Sequence, residues 1–223
     1  MAGGISSQPR ITSARHLCSG YRILAALMMS SPISAAGAEP AARSGVYDNL
    51  IVVVAGDVVR GAFFDQRGQF EPGGSAPFSC IFLLRGTLHG EVASVTTWAP
   101  GDAQRIRGEL RFRDGGASLR LAEEPGGCGM TTGDMVRQPY EMARGTDGAG
   151  WLDVGMIAAK RSPFYREPGL LAPRAPFVVA FDPVVILERR PGWVRARYLG
   201  GQRSVTGWLR SGDLALPDPP NAN

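Results

Sequence analysis

From residue 39 onwards, the apolar residues of this chain come in short runs of four to eight, separated by Gly, Pro, Asp or Asn. No stretch of this region keeps the period of about 3.6 residues that an amphipathic helix requires. Short apolar runs bounded by turn-forming residues are typical of β-strands. This spacing predicts an all-β chain.

The run IRGELRFR shows the pattern most clearly. Ile106, Gly108, Leu110 and Phe112 fall on one face of an extended strand, and the charged residues between them fall on the other. One buried and one wet face are typical of an antiparallel sheet. Because six or seven such strands fit between residues 45 and 143, we expect a small antiparallel β-barrel or sandwich there.

A polar, glycine-rich stretch, ARGTDGAG, divides the patterned region in two. It predicts a first β-domain over residues 45–143 and a second over 151–216, which we expect to fold on its own. Residues 217–223 are predicted to form a disordered tail.

Residues 1–38 lack Asp and Glu, and they carry three arginines ahead of the apolar run ILAALMM and the triplet Ala-Gly-Ala. These are the parts of a secretory signal peptide, which places the mature protein in the periplasm or outside the cell. A mitochondrial-type transit peptide is the competing interpretation. The apolar run falls short of the roughly 20 residues that span a bilayer, so no stable membrane span is predicted.

Removing this leader changes the charge balance. Three of the 24 Lys and Arg residues lie in it, whereas all 20 Asp and Glu residues follow it, which leaves 21 against 20. A nearly neutral chain without a clustered basic stripe argues against a nucleic-acid partner.

The region after the leader keeps two cysteines, Cys80 and Cys128. An oxidising compartment favours a disulfide between them. A free nucleophilic or metal-binding thiol is the alternative, but His89 is the only histidine left and no second ligand stands at a suitable spacing. We therefore predict a disulfide and no metal site.

Recognisable catalytic motifs are missing from the sequence. There is no phosphate-binding loop, no dinucleotide fingerprint and no HExxH. His89 lies in a predicted turn, and the acids Glu109, Glu123 and Glu124 are typical of solvated side chains. We predict no catalytic residues and no cofactor.

Three strands are predicted in the second part, in DPVVILE, WVRARYL and SVTGWL, with the tight turns RRPG and GGQR between them. Two of the four tryptophans, Trp193 and Trp208, each follow a glycine here. Glycine lets the backbone bend or form a bulge where a Cβ atom would clash.

The order of these motifs resembles that of the bacterial SH3-like (SH3b) domain, from about Leu152 to Leu216. The matching stretches are FYREP, FDPVVIL, the two Gly-Trp steps, and Asp213 with Leu214. Pro183 departs from the pattern. The resemblance implies a C-terminal SH3-like barrel, and the first part resembles small β-domains that precede such modules in uncharacterised exported bacterial proteins.

Core packing is one interpretation of Trp193 and Trp208, because a small barrel has few large side chains to bury. The other is a surface groove for an extended peptide, lined by Tyr165 and Trp193 beside Arg195 and Arg197. If the groove exists, we expect Tyr165 and Trp193 to be partly exposed.

Three functions are compatible with these features. The first is an exported, non-enzymatic cell-envelope protein that binds a peptidoglycan peptide or an envelope protein, including a role as inhibitor of a wall-active enzyme or as an immunity protein. The second is a wall-active enzyme with its site in the first domain and the SH3-like module as a targeting tail. A small-ligand carrier is the third, if the first domain encloses an apolar cavity. The oligomeric state is left open.

Overall fold

The computed structural model describes residues 42–68, 78–169, 172–200 and 203–217. The predicted leader, residues 1–38, lies outside these ranges, and so does the predicted tail apart from Pro217. Residues 39–223 form one compact unit. Its described part is all-β apart from two single turns of 3₁₀-helix, as the sequence predicts.

The first part is a closed barrel of eight antiparallel strands, each paired with its neighbours in chain order, and β8 closes the ring against β1. The strands are β1 (Gly45–Tyr47), β2 (Leu50–Ala55), β3 (Val58–Arg67), β4 (Phe78–His89), β5 (Val92–Trp98), β6 (Ile106–Arg113), β7 (Gly116–Leu121) and β8 (Tyr140–Asp147). The choice left open between barrel and sandwich is thus resolved in favour of the barrel.

Large apolar side chains fill the barrel interior. Phe63 and Phe82 stack there with ring centroids 4.7 Å apart, and Tyr47 meets Phe112 edge to face at 5.8 Å. The predicted alternation of β6 is confirmed, since Ile106, Leu110 and Phe112 are buried and the arginines between them are exposed. An interior filled by side chains makes this barrel a packed core.

A disulfide between Cys80 and Cys128 ties β4 to the 3₁₀ turn Cys128–Met130, which confirms the predicted pairing. Both cysteines are fully buried in the barrel core, next to Met135 from the same connection. The segment between β7 and β8 is therefore fixed against the barrel by a covalent bond and by buried apolar contacts.

The second part contains a five-stranded antiparallel sheet in the order β14-β13-β12-β9-β15 and a two-stranded sheet of β10 and β11. The strands are β9 (Asp153–Ile157), β10 (Arg161–Pro163), β11 (Phe177–Val179), β12 (Pro183–Arg190), β13 (Trp193–Tyr198), β14 (Val205–Arg210) and β15 (Leu214–Ala215). The predicted three-strand meander is β12 to β14. The single helical turn expected after it is the 3₁₀ turn Ser211–Asp213.

Two of these strands, β9 and β12, are buried on both faces. Val184 and Ile186 of β12 face a core shared with Phe164 and Leu209. Val185, between them, faces the outer wall of the barrel. Strands buried on both faces read as continuous apolar runs, which accounts for VVIL in β12 and also for LIVVV in β2.

The contact between barrel and sheet is apolar at its centre. Ile51, Val53, Ala62 and Leu83 project outward from the barrel, and they pack against Trp151, Val154, Met156 and Val185. Beside them lies the carboxylate of Asp153, only 5% exposed, which pairs with Arg189 and lies 4.0 Å from Nε of Arg60 in the barrel. The two parts of the chain thus share a buried interface.

The glycine-rich stretch predicted as the joint is partly strand. β8 continues through Asp147, because Arg144 still pairs with Tyr47 and Asp147 with Gly45. The chain then turns at residues 148–150, where the amide of Trp151 donates to the carbonyl of Gly148.

Candidate functional site

One face of β13 and β14 carries alternating aromatic and cationic side chains. Opposite residues of an antiparallel pair share a face, and the register places Trp193 opposite Arg210, Arg195 opposite Trp208, and Arg197 opposite Thr206. On β12, Arg190 stands opposite Trp193. We call this surface the arginine–tryptophan face; its members are Tyr165, Arg190, Trp193, Arg195, Arg197, Trp208 and Arg210.

The aromatic side chains of this face contact one another and the arginines. The rings of Tyr165 and Trp193 meet edge to face with centroids 5.0 Å apart. The guanidinium of Arg190 lies 4.8 Å from the centre of the Trp208 ring, and that of Arg210 lies about 6 Å from both Tyr165 and Trp193. Cation–π contacts of this kind fix guanidinium groups while leaving their N–H edges available.

The edge of the sheet beside this face is covered by the chain itself. The amide of Tyr165 donates to the carbonyl of Trp208 at 2.8 Å, and the amide of Trp208 donates back at 2.9 Å. Nη1 of Arg174 donates to the carbonyl of Thr206 at 3.0 Å. Strand addition at this part of β14 is therefore blocked, and a ligand must use the side chains.

Four arginines at this surface lack an acidic partner. Among the residues that the structure describes, no ion pair joins a carboxylate to Arg174, Arg195, Arg197 or Arg210. By contrast, arginines elsewhere are paired, such as Arg111 with Glu109 at 2.8 Å and Arg113 with Glu141 at 3.2 Å. Neighbouring like charges without neutralising partners favour an anionic ligand.

A depression of about 420 Å³ opens at one end of the arginine–tryptophan face. Arg190 and Trp193 line it together with Ser211 of the 3₁₀ turn, and Val194, Leu214 and Leu216 give it an apolar floor. Few polar groups over an apolar floor are typical of a small binding site.

The structure brings the predicted site residues onto one surface, with one correction. Trp193 is half-buried and Arg195 is exposed, as expected for ligand contact. Tyr165, however, is only 7% exposed, because Trp193 covers its ring and its backbone is bound to Trp208. Tyr165 therefore supports Trp193 and offers little surface of its own.

Sequence reasoning missed Arg190, Trp208 and Arg210 as members of the same face. The alternation of VTGWLR places Thr206, Trp208 and Arg210 on one side, and that signal was available. The pairing of this side with Trp193 and Arg195 depends on the register, which the sequence does not specify.

The acidic and imidazole groups considered for catalysis lie at the barrel surface. His89 is exposed at the end of β4, and Glu109 pairs with Arg111 on the outside of β6. Oε1 of Glu124 accepts a hydrogen bond from the amide of Gly129 at 2.8 Å, which fixes the turn that carries Cys128. Each of these contacts has a structural explanation.

One pair of groups with shifted pKa values lies in the second part. Burial raises the pKa of the Asp182 carboxyl and that of the Tyr198 hydroxyl, and the two groups are hydrogen-bonded. Asp182 also accepts a hydrogen bond from the amide of Val179 at 2.8 Å. Because the carboxylate closes the turn before β12, its burial is explained by the fold.

Within the described ranges, no three His, Cys, Asp or Glu side chains lie together as a metal site would require. No helix in those ranges has the length and apolar character needed to cross a membrane.

Comparison with protein-family models, with curated protein sequences and with solved structures gives no match. The functional argument therefore depends on the geometry described above.

Proposed function

We propose that this protein is an exported, non-enzymatic binding protein of the bacterial cell envelope, and that the arginine–tryptophan face is its binding surface. The observation that carries the proposal is the cluster of arginines without acidic partners, interleaved with tryptophans on one face of β13 and β14. Aromatic and arginine side chains are the types most enriched at binding hot spots.

The residues 151–216 are proposed to be a bacterial SH3-like domain. Support comes from the meander β12 to β14, followed by a 3₁₀ turn and a short last strand that returns to β9. The leader, with its basic and apolar segments, supports export to the periplasm or the exterior.

The chemistry of the face points to a peptide that bears carboxylates. Arg195 and Arg197 alternate along β13, so their Cα atoms stand about 6.8 Å apart. An extended peptide repeats its side chains at the same interval, and carboxylates form strong, often bidentate hydrogen bonds with arginine. Peptidoglycan peptides, which end in carboxylates, and acidic segments of envelope proteins both fit this description.

The test is co-sedimentation with purified peptidoglycan. Trp193→Ala should weaken binding by at least about tenfold, which is about 1.4 kcal/mol. The melting temperature should fall by no more than about 4 °C, since only one edge-to-face contact and a half-buried ring are lost. A double variant, Arg195→Gln with Arg197→Gln, should also weaken binding and remove most of its salt dependence.

Arg111→Gln is the matched control, because Arg111 is an exposed strand arginine on the barrel that already has a carboxylate partner. Unchanged binding in the double arginine variant would contradict the proposal. Degradation of peptidoglycan that Glu109→Gln or Glu123→Gln abolishes would instead establish the enzyme hypothesis.

A further inference from the structure

A second surface feature lies at the turn between β11 and β12. Six large apolar side chains are exposed in the described residues, and three of them, Phe177, Val179 and Phe181, fall within five positions of one another. Each is more than 40% exposed. Apolar side chains concentrated in this way mark an interaction site more often than scattered ones do.

The backbone at Phe181 is strained. Its φ angle is 72°, in the left-handed region that L-residues with bulky side chains avoid. The amide of Asp182 donates to the carbonyl of Val179, so Phe181 is the third residue of a β-turn, the place where type II turns prefer glycine. The sequence resemblance aligns this position with the glycine of a Gly-Asp step. Strain kept at an exposed aromatic residue suggests a function for its side chain.

Two cations stand beside these apolar side chains. Arg161 lies opposite Val179 in the β10–β11 pair, and its guanidinium stacks 3.7 Å from the centre of the Phe177 ring. Lys160 precedes it and is exposed. The amide of Phe181 donates to the carbonyl of Ile157 at 2.8 Å, which holds the turn next to the segment that carries both cations. We call Lys160, Arg161, Phe177, Val179 and Phe181 the Phe181 corner.

The charge of the Phe181 corner is not neutralised locally. Neither Lys160 nor Arg161 forms an ion pair within the part of the chain that the structure describes. The adjacent carboxylate, Asp182, is directed inward to the amide of Val179 and the hydroxyl of Tyr198. The outward surface is therefore apolar and cationic.

We propose that the Phe181 corner is a membrane-contact site that binds the surface of an anionic lipid bilayer. Aromatic and aliphatic side chains on a turn enter the boundary between headgroups and acyl chains, while lysine and arginine remain at the phosphate level. The stacked guanidinium of Arg161 keeps its N–H edge free to bind phosphate oxygens. Lysine is depleted at protein–protein interfaces, which favours the lipid surface over a protein partner.

The site is peripheral, and it is independent of the arginine–tryptophan face. Contact through three side chains and two cations is weak and reversible, so it would concentrate the protein at a membrane without inserting it. A failure of peptidoglycan binding would leave this proposal intact.

The experiment is co-sedimentation with two kinds of vesicle, one of phosphatidylcholine alone and one of phosphatidylcholine mixed with phosphatidylglycerol. The wild-type protein should bind the mixed vesicles and not the neutral ones. Phe181→Gly should lower the partition coefficient by about tenfold, from the loss of buried apolar area. Lys160→Gln and Arg161→Gln should each lower it by about fivefold.

Relief of strain gives a second readout. Phe181→Gly and Phe181→Asn both place residues that tolerate positive φ at the turn, so the melting temperature should rise by about 2 °C while vesicle binding falls. Met130→Ser and Arg137→Gln are the matched controls, since Met130 is a more exposed apolar side chain and Arg137 an exposed arginine, both on the barrel. Neither should change vesicle binding.

Several results would overturn the proposal. These are absence of binding to the anionic vesicles, equal binding to neutral ones, or binding that Phe181→Gly leaves unchanged. A melting temperature that falls in both Phe181 variants would remove the argument from strain, and the proposal with it. Retained vesicle binding with Trp193→Ala is expected whether or not the proposed function holds.

Discussion

At the scale of single residues, the two glycines that precede Trp193 and Trp208 serve different purposes. Gly192 has a φ angle of 75° and open space around its Cα atom, so it is needed for its backbone conformation. Gly207 lies beneath Phe164 and the carbonyl of Tyr165, and an added Cβ atom would come within 3.0 Å of both. The sequence interpretation assigned one steric role to both.

This difference leads to a prediction for two substitutions. Gly192→Asn should cost about 1 kcal/mol or less, because asparagine tolerates the left-handed region and meets no neighbour. Gly207→Ala should cost about 1–3 kcal/mol, since the Tyr165 carbonyl is fixed by its hydrogen bond to Trp208 and cannot move away. Urea unfolding of both variants measures this. Equal costs would contradict the assignment.

The candidate binding residues were predictable only as far as alternation reaches. Trp193, Arg195 and Arg197 share a face because side chains repeat every two residues along a strand, and this needs no knowledge of neighbours. The burial of Tyr165 and the proximity of Arg210 arise from pairing with residues more than 15 positions away. Such contacts depend on register and closure, for which the sequence has no local signal.

At the scale of elements, the disulfide joins a strand to a segment that has little regular structure of its own. Cys80 lies in β4 and Cys128 in a single 3₁₀ turn, 48 residues later. The chain from residue 122 to residue 139 contains only that turn, yet it buries Cys128 and Met135 in the barrel. The bridge compensates for the missing strand pairing.

We therefore expect a double variant, Cys80→Ser with Cys128→Ser, to lose about 4 kcal/mol of unfolding free energy, from the entropy of a 48-residue loop. Denaturant unfolding measures the loss. Thiol titration of the denatured wild-type protein without reductant should give close to zero. About two thiols per chain would show that the bridge does not form.

Element identity was largely predictable, and element ends were not. The alternating and continuous apolar runs indicated β2 to β7 and the meander β12 to β14, because those patterns reflect burial directly. β1 has only three residues, and the last residues of β8 are polar and mostly exposed. Those strands exist because they close the barrel, and closure has no signature in a local window.

At the scale of the whole molecule, the apolar interface between barrel and sheet contradicts the picture of two self-sufficient modules. Val154, Met156 and Val185 are fully buried, and their cover comes from barrel residues such as Val53 and Leu83. Asp153 connects Arg189 of the sheet with Arg60 of the barrel across the same boundary. Read by itself, the run VVIL indicated a strand with two buried faces but not the identity of its second partner.

The last prediction follows from this interface and concerns how the chain unfolds. Leu83→Ala removes a fully buried side chain from the outside of the barrel, where it faces the sheet and not the barrel interior. It should cost about 2–5 kcal/mol and lower the unfolding midpoint of barrel and sheet together. Independent modules would instead unfold in two steps, and a mutation at the outer wall would leave the step reported by Trp193 and Trp208 unchanged.

Two probes separate these cases. Tryptophan fluorescence is dominated by the second part, which holds three of the four tryptophans, whereas reduction of the buried disulfide under increasing denaturant reports opening of the barrel. Coincident transitions in the wild-type chain, shifted equally by Leu83→Ala, would show one cooperative unit. Met130→Ala, an exposed position on the barrel, should shift neither transition. Because the sheet carries both proposed binding surfaces, such coupling would make the barrel the support on which they depend.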